Sequence, residues 1–414
     1  MTPHDASARP PVARPGLALA AILLLAYLPP VLLRDPWHVD EVRYVEVARA
    51  MRARGDWLVT HLNGEVYSEK PPLFFWLVGG LGSAVGEPLA GQALAALSVV
   101  VTCLVGVSLA RTLSQGDERL AWLSGAAAAS TMMFFDRGQS ALIDTLLLPL
   151  VSACTLALLR AARARGARAV GWSLGACACA AAACLTKGPV GVLFPLLGAL
   201  LCGPLVWGRA GVRPAPLLLL PLVGGGAVLL WVWLAAREAG WWFWERMLEQ
   251  TTKRTGGATP HHAEPPWFYL LDVPPKLLPW TLLLPGAAWL SWKGPPAPWR
   301  AAARALGAWA GAGLLLFSLV GGKRPGYVLP LYLPLALLCA AGAVAAEDAP
   351  GAPGRRWVTW PLSLVAPALL LFAGLAVLAP AVAGLTLGLA PASRAGALLS
   401  ALPLVAWPAA PLLG

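Results

Sequence analysis

The sequence contains few charged residues and none of the short motifs that mark soluble nucleotide-binding or hydrolytic enzymes. Only 12% of its 414 residues are charged, whereas a soluble domain carries about 25%. With 58% hydrophobic residues and a mean hydropathy of +0.67, the chain has too little polar surface to cover itself in water. It has no Walker loop, no GxGxxG after a strand, no HExxH and no nucleophile elbow. These absences predict a membrane protein and give no support for nucleotide use or serine hydrolysis.

Two further classes find no support in the sequence. The seven cysteines form no CxxC pair and lie within or at the ends of apolar runs, which argues against a disulfide framework or a zinc site built from cysteine. The net charge of +11 could indicate nucleic-acid binding. However, no basic patch is interleaved with aromatic residues, and the basic residues gather in short loops between apolar runs. We therefore predict no nucleic-acid partner.

The apolar runs predict an all-α polytopic membrane protein rather than a barrel. They are about 20 residues long, rich in Leu and Ala, and lack the alternation of a membrane strand. We predict about 12 transmembrane helices in one membrane domain, 17–414, after a cytoplasmic N-terminus, 1–16. A short, glycine-broken run after Pro72 is a candidate re-entrant segment. The predicted spans are 17–33, 91–110, 120–135, 142–159, 169–185, 190–206, 215–235, 274–292, 302–320, 328–346, 357–387 and 396–413.

The basic residues orient these spans. Arg9 and Arg14 precede the first span, and 160–168 is the most basic short loop, so both are predicted to lie on the inner side. Two long polar stretches, a first loop at 34–90 and a second at 237–273, are then predicted to lie outside. We predict that the first loop begins with an amphipathic helix on the membrane surface. Its predicted apolar stripe consists of Val39, Val42, Val45, Ala48 and Met51.

Several ionisable residues fall on the outer side, at or near helix ends. Carboxylates together with Lys and Arg suggest an acid/base group working beside a phosphate. The carboxylate could take a proton from a hydroxyl, and the cations could stabilise a phosphate leaving group. The alternative is that each charge only anchors a helix end by snorkelling. Convergence of the whole set on one face favours a functional site.

Four motifs in consistent order give the chain a family resemblance, over about 17–346. The first loop contains Asp40-Glu41, Arg43-Tyr44, Gly55-Asp56-Trp57, Tyr67 and Glu69-Lys70-Pro71-Pro72. Lys187-Gly188-Pro189, the stretch 254–270 with Leu278-Pro279-Trp280, and 323–330 follow. These motifs resemble the bacterial polyprenyl-phosphate-dependent glycosyltransferases, which include the aminoarabinose transferases that modify lipid A and are related to protein O-mannosyltransferases. The longer members continue into a soluble outer domain, whereas this sequence ends at Gly414, directly after an apolar run.

The resemblance implies a GT-C helix bundle and a role for each matching residue. Asp40 and Asp144 match the catalytic carboxylates. Glu69 and His262 are candidate metal ligands, although two ligands are too few to define a metal site. Residues at positions suited to holding the donor phosphate are Arg43, Lys70, Arg254, Lys323 and Tyr327. Other matching positions in the site are Glu41, Glu69, Lys187 and His262.

The implied function is inverting transfer of a sugar from a polyprenyl-phosphate donor to a lipid or glycan of the cell envelope. The reaction would take place on the outer face of a bacterial inner membrane. Two alternatives stay open at this point. A protein O-mannosyltransferase would share the fold and differ in its acceptor. A lipid or solute transporter would carry its charges near the bilayer midplane, on broken helices in two related halves.

Overall fold

The computed structural model describes residues 15–36, 38–247, 249, 263–294, 296–352 and 354–364, which form a bundle of α-helices. Three short 3-10 helices, Gly208–Gly211, Trp280–Leu283 and Pro325–Leu331, join longer elements. The α-helices are α1 Pro15–Leu33, α2 Val39–Arg54, α3 Leu73–Val85, α4 Glu87–Leu113, α5 Glu118–Ala129, α6 Met132–Arg137, α7 Ile143–Arg163, α8 Gly166–Lys187, α9 Val190–Trp207, α10 Pro214–Ala239, α11 Phe268–Lys276, α12 Leu284–Lys293, α13 Pro298–Leu319 and α14 Tyr332–Asp348. Residues 242–247 and 356–364 are also helical.

The predicted all-α polytopic architecture is confirmed. Within the described residues, eight helical stretches are long and apolar enough to cross a membrane: α1, α4, α7, α8, α9, α10, α13 and α14, where α9 and α14 are each counted together with the adjoining 3-10 helix. The thirteen residues of α3 are apolar but shorter than a span. The count of about 12 stays a prediction, because 365–414 and its predicted spans lie outside the described residues.

Two predicted spans are interrupted, so the prediction of one continuous helix was wrong for each. The stretch 274–292 divides into the end of α11, a 3-10 turn and α12. Pro274, Pro275 and Pro279 explain this division, since proline lacks the amide hydrogen that helix continuation requires. The stretch 120–135 divides into α5 and α6, and the amide of Met132 donates to the carbonyl oxygen of Leu278 instead, at 3.0 Å.

The centre of the bundle is α14, which is almost completely buried. Its residues are mainly Ala and Leu, which permits close approach of α5, α12 and α13. At Gly342 a Cβ atom would lie 2.5 Å from the Cβ of Ala287 in α12. Close packing through small residues is how membrane helices associate without a hydrophobic driving force between them.

The helix α2 packs against the protein through a face that only partly coincides with the predicted stripe. Val45, Ala48 and Met51 are buried, but Val39 is 72% exposed and Val42 is 50% exposed. The predicted stripe used a spacing of three residues, which drifts about 60° around a helix at each step. The buried face instead includes Tyr44 and Glu41 and contacts α3.

The first loop is folded and compact. After α2, Gly55 adopts a left-handed conformation that ends the helix, and a small hairpin pairs β1 His61–Leu62 with β2 Glu65–Val66. Asn63 and Gly64 both have positive φ, as a two-residue hairpin turn requires. The chain then turns into α3, so α2, the hairpin and α3 form a cap at one end of the bundle.

Candidate active site

Asp40 lies in the first turn of α2 between two arginines. Its two carboxylate oxygens accept from Arg43 Nη1 at 3.1 Å and from Arg324 Nη1 at 3.2 Å. His38, and not Asp40, caps the helix, because the His38 ring nitrogen accepts from the Asp40 amide. The Asp40 side chain is 18% exposed. It therefore remains accessible to solvent while its charge is balanced from two elements that are far apart in the sequence.

Asp144 occupies the first turn of α7 and forms an ion pair with Lys187 at the end of α8. The Lys187 ammonium also lies 5.0 Å from the centre of the Tyr327 ring, which is cation–π geometry. Gly326 faces Asp144, since a Cβ atom at Gly326 would lie 3.4 Å from the carboxylate carbon. The absence of a side chain at 326 thus leaves the Asp144 carboxylate beside the backbone of this segment.

The segment 324–327 connects the two carboxylates. Its first residue, Arg324, reaches Asp40, and its last, Tyr327, lies beside Lys187. The hydroxyl of Tyr269 in α11 donates to the carbonyl oxygen of Arg324 at 3.1 Å and so fixes the start of the segment. Asp40 and Asp144 therefore belong to one site.

Tyr44 lies within electrostatic reach of both carboxylates. Burial raises the pKa of the Tyr44 hydroxyl well above its usual value, and Tyr67, Asp144 and Asp40 raise it further, while Arg43 opposes the shift. The hydroxyl is therefore neutral at physiological pH and is able to donate a hydrogen bond. Its ring packs edge-on against Phe74 and Phe75 of α3, which holds it in place.

Glu41 is fully buried and ties the two carboxylate-bearing helices together. One of its oxygens accepts from Arg34 at 2.6 Å and from the amide of Ala141 at 2.8 Å, three residues before Asp144. Arg34 also donates to the carbonyl oxygen of Gln139 at 2.6 Å. Glu41 thus joins the first turn of α2 to the loop that leads into α7. This geometry gives it a positioning role.

Lys323 and Arg324 point in different directions. The Lys323 side chain is 3% exposed, and its ammonium donates to the carbonyl oxygen of Glu264 at 2.7 Å. Ala263 forms an isolated antiparallel bridge with Gly322 beside it. In this arrangement Lys323 holds the second long polar stretch against the 321–324 loop, while Arg324 is the cation that reaches Asp40.

The remaining predicted residues are less fully defined. Glu69 and Lys70 are half-buried in the turn before α3. Arg254 and His262 lie outside the described residues, so the predicted pairing of Glu69 with His262 around a metal has no geometry to report. Among the residues that the structure describes, no group of three His, Cys, Asp or Glu side chains could hold a metal ion.

Sequence reasoning assigned no role in the site to two residues that contribute to it, Arg324 and Tyr44. Arg324 adjoins Lys323 in the same motif, and only the direction of each side chain separates their roles. Tyr44 follows Arg43 in the first motif, and the predicted stripe of α2 did not include it. Proximity to both carboxylates depends on how α2 packs against α7, which no spacing within α2 reveals.

The described site is a cluster of paired charges in which cations outnumber carboxylates. Two carboxylates, in the first turns of α2 and α7, face three cations: Arg43 of α2, Lys187 at the end of α8, and Arg324 in the loop before the 3-10 helix Pro325–Leu331. Arginine and lysine in such positions bind phosphate oxygens, and a carboxylate beside them can accept a proton from a hydroxyl. The arrangement therefore suits transfer of a group away from a phosphate.

Comparison with known proteins identifies the family. Residues 12–237, more than half of the chain, match the dolichyl-phosphate-mannose-protein mannosyltransferase family. The chain belongs to this family of polyprenyl-phosphate glycosyltransferases, as the sequence motifs indicated.

Individual relatives are bacterial transferases of aminoarabinose. The chain is 33% identical over 332 residues to undecaprenyl phosphate-alpha-4-amino-4-deoxy-L-arabinose arabinosyl transferase 2 of Sodalis glossinidius, covering 79% of this chain and 59% of that protein. It is 34% identical over 342 residues to the corresponding Pseudomonas aeruginosa transferase, covering 77% and 58%. The chain thus spans somewhat less than three fifths of the length of these relatives.

Solved structures share the fold. The crystal structure of ArnT from Cupriavidus metallidurans bound to undecaprenyl phosphate superposes with a TM-score of 0.69 at 22% identity, covering 96% of this chain and 76% of that chain. The Archaeoglobus fulgidus oligosaccharyltransferase gives a TM-score of 0.51 at 13% identity, covering 93% and 53%. The likeness to ArnT confirms the predicted GT-C architecture of a multi-pass membrane protein.

Proposed function

We propose that the protein transfers a sugar from a polyprenyl-phosphate donor to an acceptor of the cell envelope, with Asp40 and Asp144 in its active site. The observation that carries the proposal is the segment 324–327, which brings Asp40 and Asp144 together with cations from three elements. A carboxylate beside cations that could hold a phosphate leaving group is what such a transfer requires.

In the proposed reaction, an acceptor oxygen attacks the anomeric carbon of the sugar from the face opposite the phosphate. The new carbon–oxygen bond forms as the bond to the phosphate oxygen breaks, and the polyprenyl phosphate leaves with the bonding electrons. Asp40 accepts the proton when the acceptor is a hydroxyl. When the acceptor is itself a phosphate, there is no such proton to remove, and Asp40 orients it instead.

The cations divide between the two carboxylates. Arg324 and Arg43, which hold Asp40, are the described cations that we place nearest the departing phosphate. Lys187 pairs with Asp144 and lies beside the Tyr327 ring. Lys70 and Arg254 remain predicted phosphate ligands from the family motifs, whereas we give Lys323, whose ammonium donates to the carbonyl oxygen of Glu264, a structural role instead. Glu69 and His262 remain candidate metal ligands. Charge-assisted hydrogen bonds to a phosphate strengthen as its charge develops, so they contribute most in the transition state.

The names of the relatives suggest the substrates. We propose an undecaprenyl-phosphate-linked aminopentose as donor and a lipid A-like glycolipid as acceptor. We further propose that the protein resides in a bacterial inner membrane as a single membrane domain of about 12 spans. The stretches 34–90 and 237–273 would then lie on the outer face.

Reconstitution tests the proposal. Purified protein in lipid nanodiscs should release undecaprenyl phosphate from an undecaprenyl-phosphate-linked aminoarabinose only when a lipid A acceptor is present, and a glycosylated product should form. The Asp144→Asn variant should bind the same donor and release much less product. Donor movement across vesicles without any sugar transfer would support the transporter alternative instead.

Protein O-mannosylation is the second candidate, and the description of the matching family supports it. The same reconstituted protein should be offered polyprenyl-phosphate mannose with a Ser- and Thr-containing peptide. Transfer to the peptide, with no transfer to lipid A, would favour this candidate. Our proposal expects the opposite preference.

A further inference from the structure

The hairpin of α7 and α8 carries two charge clusters at its opposite ends. At one end Asp144 pairs with Lys187 in the candidate active site. Arg163 lies 19 positions after Asp144 along α7, a rise of about 28 Å at 1.5 Å per residue. The second cluster is therefore on the other side of the membrane-spanning region.

This second cluster lines a cavity of about 660 Å³. The end of α7 and the turn that follows it provide Arg160, Arg163 and Arg165, and the first turn of α8 provides Arg168. No carboxylate is among the lining residues within the described part of the chain. At this end of α4, Glu118 is already paired with Arg111 at 2.5 Å. The cavity thus concentrates four positive charges without a matching carboxylate.

The positions of the arginines make this charge unfavourable unless an anion is present. Arg165 is the N-cap of α8 and Arg168 lies in its first turn, which contains no acidic residue and no side-chain cap. The helix dipole places partial positive charge there, so cations are opposed and an anion is favoured. Basic loops can be kept on the inner side of a membrane without forming a cavity and without arginines at the N-terminus of a helix.

Two neighbouring contacts hold Arg160 in position at the cavity. Its guanidinium donates to the Ser108 hydroxyl at 2.6 Å and stacks 4.8 Å from the centre of the Trp172 ring. An arginine held in this way is pre-organised to donate its remaining N–H groups to a planar or tetrahedral anion.

The surface beside the cavity identifies the source of the anion. On α8, Val170 is 58% exposed and Leu174 is 65% exposed, directly after the arginines. This apolar surface continues from the cavity along a membrane-spanning helix, where acyl chains would lie. Basic pockets at this membrane level bind phosphate headgroups of anionic lipids.

We propose that the α7–α8 turn is a binding site for the phosphodiester headgroup of an anionic phospholipid in the leaflet opposite the active site. The arginines hold the phosphate, and the exposed face of α8 contacts the acyl chains. This lipid site is separate from the Asp40 and Asp144 site, and its existence does not depend on the proposed glycosyl transfer.

Lipid binding to the purified full chain in uncharged detergent tests this assignment. Labelled phosphatidylglycerol should bind and should be displaced by unlabelled phosphatidylglycerol, but not by phosphatidylcholine. The double variant Arg165→Gln/Arg168→Gln should bind at least about tenfold more weakly, as expected for the loss of charge-assisted contacts. The matched control is Arg356→Gln, which removes an exposed arginine outside the cavity and should bind as wild type does.

A second double variant and a competition with inorganic phosphate distinguish the remaining explanations. Arg165→Lys/Arg168→Lys keeps the charges that orient the hairpin in the membrane but removes the two-pronged contact, so it should bind several-fold more weakly even if the Gln variant does not fold. Inorganic phosphate displacing the lipid at millimolar concentration would show a free-anion site and overturn the lipid assignment. Unchanged binding in both double variants, or loss of binding only in Arg324→Gln, would overturn the proposal altogether.

Discussion

Replacement of Arg324 and Lys323, one at a time, separates catalysis from stability at adjacent positions. Arg324 is 43% exposed and reaches Asp40 at 3.2 Å. A half-exposed pair of this kind contributes about 0–1 kcal/mol to folding, because water screens it. Arg324→Gln should therefore change the unfolding temperature little.

The effect of Arg324→Gln on sugar transfer should be much larger. If Arg324 contacts the departing phosphate in the transition state, its loss removes one charge-assisted hydrogen bond, worth about 1.5–3 kcal/mol. That corresponds to a fall in kcat/KM on the order of ten- to a hundredfold.

For Lys323 we expect the opposite, a loss of stability rather than of transfer, since its ammonium is held by the Glu264 and Gly321 carbonyl oxygens. Lys323→Gln should lower stability by about 1.5–3 kcal/mol, because the largely buried ammonium would lose its charge-assisted hydrogen bonds to these carbonyl oxygens.

The assay measures both quantities on the same preparations. Release of polyprenyl phosphate from the lipid-linked sugar gives kcat/KM, and thermal unfolding in detergent gives stability. A stable Lys323→Gln that binds donor tenfold more weakly, beside an Arg324→Gln with normal transfer, would refute the reasoning. That pattern would make Lys323 the phosphate ligand, as the family motif alone predicts.

Three further results follow from the same geometry. Glu41→Ala should lose about 3 kcal/mol of stability, since it leaves a buried network without its acceptor, and Glu41→Gln should lose less. Equal stability of Glu41→Ala and wild type in thermal unfolding would contradict this. Asp144→Asn and Lys187→Met should each reduce kcat/KM for sugar transfer. The double variant should have about the same kcat/KM as the less active single variant, because the pair acts as a unit, and additive losses would show independent roles. Single cysteines introduced at Asp56 and Arg165 should be labelled from opposite sides of the membrane by an impermeant reagent, and labelling from one side would overturn the predicted orientation.

The helix bundle was predictable because its signal is strong and local. A run of 20 apolar residues must satisfy its own backbone hydrogen bonds in lipid, so length and composition indicate helices directly. The interruptions of two spans were harder to predict, although Pro274, Pro275 and Pro279 indicate the break in one of them. The break after Ser130 had no such marker, since the amide of Met132 pairs with Leu278, a residue distant in sequence.

The site was predictable only as a set of residues. Family motifs and charge singled out Asp40, Asp144 and Lys187, but not which cation faces which carboxylate. The structure assigns Arg324 to Asp40 and directs Lys323 towards backbone carbonyl oxygens. It also gives Glu41 a positioning contact with Ala141, 100 residues away. Such pairings depend on packing between helices, and no periodicity within one helix encodes them.

The most direct test of the central claim compares Asp40→Asn with Asp136→Asn. Both changes replace a carboxylate with an amide of nearly the same shape, but Asp136 is 61% exposed and pairs with Arg137 rather than with a residue of the proposed site. Purified Asp40→Asn should fold and bind the lipid-linked donor, yet transfer the sugar to a hydroxyl acceptor about a hundredfold more slowly or worse, within the range for a positioned base. Asp136→Asn should transfer at the wild-type rate. Near-normal transfer by Asp40→Asn would contradict the account.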